Sequence, residues 1–251
     1  MKNKILITFA LLTITTTVFA QDYSMSLEGI TKVIISAKTT IVIKAHNANT
    51  FLLKSTENYR DSEKTKELKN LSIKGNNNTN YGVEVIKDDS FLVVKGLRER
   101  RESNLVIHLP KNINISVESL ANNEIYIDGF NSEIESINHQ GATVLSNVTG
   151  PIVAENGNGS IVVIFSKINQ SLPTSIVADN GDIDIRIPYN SSVNISSKTP
   201  RGEFYSDFDL KLDKKKSTSN NIRFIKGKLN DGGVEISLQN LKGNIYLRKN
   251  K

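Results

Sequence analysis

Short β-branched runs with apolar and polar residues in alternation recur along most of the chain, while the three-to-four spacing of an amphipathic helix is nearly absent. "NGDIDIRIP" (180–188) carries the pattern in miniature. Successive side chains of a strand point to opposite faces, so Ile183, Ile185 and Ile187 share one face and Asp182, Asp184 and Arg186 the other. The chain therefore reads as all-β. Between residues 27 and 95, "KVIISA", "TIVIKA", "TFLLKS", "GVEVIK" and "SFLVVKG" predict strands of a smaller β-rich N-terminal region spanning 21–103. The charged stretch 57–70 and "GNNNTN" (75–80) interrupt it as a loop or short helix and a turn.

From about residue 104 a repeat emerges: a glycine, one further residue, then an alternating apolar run. It recurs as "GATVL" at Gly141, "GPIVA" at Gly150, "GSIVV" at Gly159, "GDIDI" at Gly181, "GEFYS" at Gly202, "GVEIS" at Gly233 and "GNIYL" at Gly243. Gly159 to Gly181 is 22 residues and Gly181 to Gly202 is 21. A period near twenty marks a solenoid, in which each coil covers the apolar face of the next. Glycine suits the sharp bend between strands because it reaches positive φ without a Cβ clash. The pattern predicts a parallel β-helix or related β-solenoid over 104–251. A β-sandwich would share the alternation, but not strands of one signature at a coil's spacing. Aligning coils on their glycines stacks Ser160, Asp182 and Glu203 in one outer column and Ile164, Arg186 and Asp207 in another, pairing Arg186 with Asp207 across strands.

Residues 1–20, "MKNKILITFALLTITTTVFA", have a basic start, an apolar centre and a small-residue end, the pattern of a signal peptide cleaved before Gln21. Loss of Lys2 and Lys4 leaves 30 basic against 26 acidic residues, a formal charge of +4. That mild excess is spread along the chain, unlike the clustered patch of a nucleic-acid binder. No cysteine is present, which excludes disulfides, thiolate metal ligands, a cysteine nucleophile and a lipid-modified cysteine.

"IHLPKNINIS" (107–116), Asn156-Gly157, Asn180-Gly181, Gly232-Gly233 and Gly243-Asn244-Ile245 give the chain a recognisable rhythm. It is a Leu-Pro-Lys entry, Asn-Gly corners before short strands, and a Gly-Gly then Gly-Asn-Ile close. In this it resembles the bacterial "putative-adhesin" family of β-helical domains of unknown function, over roughly the last 150 residues. The resemblance departs at "NHQG" (138–141), where Asn and Gly are separated, and at the insertion-like "DKKKSTSNN" (213–221). It implies a β-helical fold and an envelope or surface location, and it brings no catalytic residues.

Candidate chemistry is sparse. Asp182 beside Glu203 is the one stack suited to calcium, yet a site needs six or more oxygens and no EF-hand loop is present. Asp182 and Asp184, about 7 Å apart along a strand, match the carboxylate separation of a glycosidase, but no tryptophan and no long loops accompany them. His46, His108 and His139 fall in unrelated contexts. The expectation is an exported, non-catalytic, adhesin-like scaffold without metal or cofactor, located in the periplasm or at the cell surface. It would contact an envelope or surface protein or a glycan, without nucleic-acid binding or stable membrane insertion. The alternative is a calcium-dependent β-helix that binds or cleaves polysaccharide, with Asp182 and Glu203 at the ion.

Overall fold

The computed structural model describes residues 22–54, 76–79, 81–97, 104–213 and 223–250. The signal-peptide reading of 1–20, the charged stretch 57–70 and most of "DKKKSTSNN" lie outside them. Every regular element among the described residues is a strand. In chain order these are β1 (Tyr23–Ser26), β2 (Lys32–Ala37), β3 (Ile41–His46), β4 (Thr50–Lys54), β5 (Val83–Asp88), β6 (Phe91–Gly96) and β7 (Leu105–Pro110). There follow β8 (Asn114–Asn122), β9 (Ile125–Asp128), β10 (Ile134–Gln140), β11 (Thr143–Val148), β12 (Ile152–Asn158), β13 (Ile161–Phe165) and β14 (Thr174–Asn180). The last are β15 (Ile183–Pro188), β16 (Val193–Thr199), β17 (Phe204–Ser206), β18 (Lys211–Leu212), β19 (Arg223–Leu229), β20 (Glu235–Asn240) and β21 (Ile245–Asn250). Alternation in sequence becomes alternation in burial: Ile183, Ile185 and Ile187 are fully buried while Asp184 and Arg186 between them are not.

The fold is a parallel β-solenoid of two sheets sharing one apolar core. Each coil gives one strand to each sheet. One sheet runs β1-β4-β7-β3-β9-β11-β13-β15-β21-β17 and the other β18-β19-β16-β20-β14-β12-β10-β8-β2-β6-β5. Ile134 pairs with Ile152 and Ile161 with Ile183, so coils advance by 18 or 22 residues. Ile41, Ile125, Ile161, Ile183 and Ile245 belong to a single inward column, with Thr143 between Ile125 and Ile161. Antiparallel strands close the ends: β5 on β6 and β4 on β7 at one, β19 on β16 at the other. These additions cover the edges of β6, β7 and β16, while β17 remains the last strand of its sheet. Strands from both sides of residues 98–103 enter the same sheets, since β2 pairs with β8 and β3 with β9 in parallel.

Spatial order departs from chain order at both ends, which the glycine spacing did not foretell. The coil β2/β3 lies between β6/β7 and β8/β9, and the final coil β20/β21 lies between β14/β15 and β16/β17. Two connections therefore step over a coil, β7 to β8 and β15 to β16. Each begins at a proline ending a strand, Pro110 and Pro188, where the missing N–H ends donation to the ladder. The first crossing is tied down where Lys111 N donates to His46 O (3.2 Å) and Asn114 N to Thr31 O (3.3 Å). At the second, Asn230 Nδ2 donates to Ser191 O (2.7 Å) and Asn194 N to Val234 O (3.0 Å). The glycines thus stack as Gly141, Gly159, Gly181, Gly243, Gly202, each one's Cβ direction aimed at the backbone of the one before.

Three corners share a further feature, a buried asparagine three residues before the glycine. Asn138, Asn156 and Asn240 are 1%, 3% and 1% exposed. Each side-chain amide donates to the corner carbonyl of the preceding coil and to its own i+4 carbonyl. The acceptors are Asn123 and Ala142, Gly141 and Ser160, and Gly181 and Asn244 respectively. "NHQG" is therefore a regular corner, because the repeating unit is Asn-x-x-Gly and not Asn-Gly. Thr199, three before Gly202, makes the equivalent bond to Gly243 O (3.2 Å). Asn156→Ala should cost about 2 kcal/mol by stranding the buried Thr143 hydroxyl and part-buried corner carbonyls, whereas Glu155→Ala beside it, on the exposed face, should change stability by under about 0.5 kcal/mol. Paired thermal melts measure the contrast.

Candidate functional site

The carboxylate candidates lie in one region, the outward face of the β13-β15-β21-β17 part of the first sheet. Asp182 and Glu203 are not neighbours there. β21 pairs with β15 on one side and β17 on the other, so Asn244 separates the two carboxylates. At the usual strand spacing of about 4.8 Å their Cα atoms sit roughly 9.6 Å apart. Asn244 also engages both residues. Its N–H donates to Asp182 Oδ1 (2.8 Å), and its Oδ1 accepts from the Glu203 N–H (3.0 Å). Asp182 N in turn donates to Ser160 Oγ (3.1 Å). The candidate calcium stack of the alternative reading is thus a run of side-chain-to-backbone bonds tying four coils together. No cluster of three or more histidine, aspartate or glutamate side chains placed to hold a metal occurs among the described residues. Adding millimolar calcium and then excess chelator should leave the thermal melt unchanged, whereas a saturated ion would contribute about 2.7 kcal/mol at a hundredfold excess over Kd.

Asp184 is more enclosed than a wet strand face implies. Its side chain is 18% exposed, and its Oδ2 lies 3.4 Å from Arg186 Nη2 and 3.2 Å from Arg248 Nε. The expected Arg186–Asp207 pair is replaced by this arrangement, because Arg186 has Arg248 beside it in register. Asp207 instead lies 3.4 Å from the Lys249 N–H, which donates to it. Both guanidiniums are over two-fifths exposed, so solvent screens much of the attraction. Asp184→Asn should still destabilise by about 1 kcal/mol, more than an ordinary surface change, and high salt should shrink the difference. Melts at low and high ionic strength provide the check.

An aromatic pair completes the region. Tyr246 and Tyr205 occupy the same column as Asp184, and their rings stack at 5.3 Å with an interplanar angle of 12°. The Arg248 guanidinium lies 4.9 Å from the Tyr246 centroid, within cation–π range. The Tyr246 hydroxyl accepts from Asn244 Nδ2 (3.2 Å). Tyr205 is 51% exposed on β17, the last strand of its sheet. Sequence reasoning missed this pair because residues 205 and 246 become neighbours only through the insertion of β21 beside β17.

The histidines are placed differently from their sequence contexts. His46 and His108 lie on the paired strands β3 and β7 with ring centroids 6.3 Å apart, edge to face. Burial holds His108 below the usual histidine range, and the positive charge of Lys54, His46 and Lys44 pushes it further down, against a weaker upward pull from Asp22. His46 Nε2 lies 2.8 Å from the Thr50 carbonyl oxygen. His139 is exposed beside Glu118, 3.2 Å away, on the other sheet.

No helix of the described residues is long and apolar enough to cross a membrane. No protein-family model matches the chain, and no curated protein matches it. Two solved structures are similar to it at low identity. One, described as a "putative cell adhesion protein" from Clostridium sporogenes, is 13% identical with a TM-score of 0.45, over 92% of this chain and 99% of that one. The other, described as a "putative adhesin" from Bacteroides fragilis, is 9% identical with a TM-score of 0.38, over 92% of this chain and 96% of that one.

Proposed function

We propose that the chain is an exported, non-catalytic, adhesin-like solenoid scaffold that makes contacts in the cell envelope or at the cell surface. The observation that carries this reading is the occupation of its carboxylates. Asp182 is bonded to the backbone of the neighbouring coil and Asp184 to two guanidiniums, so neither is placed as the acid or base of a hydrolytic pair. Among the described residues, one depression, lined by Val177, Lys198, Pro200 and Leu241, has a volume of about 170 Å³. Small-molecule sites commonly occupy about 300–1,000 Å³. The outward face offers instead parallel columns of side chains at strand spacing, a geometry suited to an extended partner. Fractionation with protease shaving of intact cells tests the reading, together with adherence of the chain lacking residues 1–20 to cells and envelope preparations. A processed chain that is shaved from cells or adheres to envelope supports it. An unprocessed cytoplasmic chain that adheres to neither overturns it.

A further inference from the structure

We propose that the Tyr205–Tyr246 platform binds a neutral saccharide, with a sugar ring stacked on Tyr205; this rests on the surface-contact reading above and names the class of partner. Three observations on one face support it. First, the aromatic surface is built in advance of any ligand. Asp184 holds Arg248, Arg248 lies over Tyr246, Asn244 holds the Tyr246 hydroxyl, and Tyr246 stacks on Tyr205. Little ordering entropy then remains to be lost on binding. Second, Tyr205 stays half exposed at the end of this series although the burial of an aromatic ring is favourable, leaving an aromatic surface open at the edge of the sheet.

Third, the chemistry around the rings selects among ligands. Asp182, Asp184, Glu203 and Asp207 lie on this outward face with Arg186 and Arg248, four carboxylates against two guanidiniums, with the Lys249 ammonium drawn to the Phe208 ring at the end of β21, and both guanidiniums already serve Asp184. Such a face does not favour a polyanion, whether nucleic acid, acidic glycan or anionic lipid. A peptide anchor would seek an enclosed apolar pocket, and the platform is a flat pair of rings with polar neighbours. A neutral sugar matches both parts, since its C–H face packs on a ring while its hydroxyls donate to carboxylates and accept from guanidinium N–H groups.

The chain has no tryptophan and seven tyrosines, so its intrinsic emission reports on tyrosine environments. Maltohexaose, cellohexaose and chitohexaose would be titrated against the protein lacking residues 1–20, followed by fluorescence and saturation-transfer NMR, with an oligogalacturonate hexamer as the acidic counterpart. At least one neutral hexamer should bind. Tyr205→Ala should weaken that binding about tenfold or more and Tyr205→Phe by less than about threefold, with unchanged melting of both variants. The proposal is overturned if no neutral hexamer binds, if Tyr205→Ala binds as the parent does, or if oligogalacturonate binds more tightly. Cell adherence separates this proposal from the broader reading. Adherence that survives Tyr205→Ala refutes the saccharide platform and leaves a surface scaffold, whereas loss of adherence in Tyr205→Ala with retention in Tyr205→Phe supports both.

Discussion

Ile183→Asp should yield no cooperatively folded protein. Ile183 is fully buried in β15 and lies in register between Ile161 and Ile245. Removing the side chain alone forfeits roughly 2–5 kcal/mol of burial and packing. The carboxylate adds several kcal/mol more, because its immediate neighbours in the inward column, Ile161 and Ile245, are apolar. Set against a typical domain stability of about 5–15 kcal/mol, the sum removes most or all of it. The site also sits in the middle of the stack, so both neighbouring coils lose the surface that covers them. Asp184→Asn, one residue along and on the opposite face, is the matched comparison at about 1 kcal/mol. Circular dichroism melts of the two variants give the test. A folded Ile183→Asp protein within a few degrees of the parent would contradict the inward assignment.

What could be read from sequence was whatever depends on local periodicity. Alternation in "NGDIDIRIP" assigned the two faces of β15, and the glycine spacing announced coils. The long-range order was hidden, because a repeat suggests that successive units stack in sequence. Gly181 to Gly202 looked like one step, yet the chain passes from Pro188 over a position that β20 and β21 fill some fifty residues later. That single displacement relocates the chemistry. It separates Asp182 from Glu203, brings Arg248 to Asp184, and creates the Tyr205–Tyr246 stack. A signal did exist: "HLPKNINIS" and "RIPYNSSVNIS" repeat a strand-ending proline followed by Asn-Ile-Ser, and they mark the two crossings. The buried asparagines escaped for another reason. Asn156 stands beside a glycine, which suggests an exposed turn, while Asn138 and Asn240 do not, and only their interior positions make the three amides bridges between coils.

Gly181→Val is expected to be among the most destabilising single changes at any corner, for two separable reasons. The residue sits at φ +114°, a region that residues with a Cβ rarely enter and that β-branched ones enter least. Backbone strain of this kind costs about 1–3 kcal/mol. In addition, a Cβ at Gly181 would stand 2.5 Å from the Gly159 carbonyl carbon, 2.6 Å from its oxygen and 2.8 Å from Ser160 N. All three are main-chain atoms of the adjacent coil, so no side-chain rotation relieves the contact. The coils must move apart, breaking the bond from Gly159 N to Asn180 O (2.7 Å) and that from Asp182 N to Ser160 Oγ (3.1 Å). The combined loss should exceed about 4 kcal/mol, or more than roughly 8 °C in melting temperature for a chain of this size. Gly29→Ala isolates the first cause, since Gly29 has φ +78° but nothing within 4 Å of its Cβ position. It should cost only about 1 kcal/mol. If the two variants melt together, close approach between coils contributes nothing at Gly181, and the glycine column is a matter of backbone conformation alone.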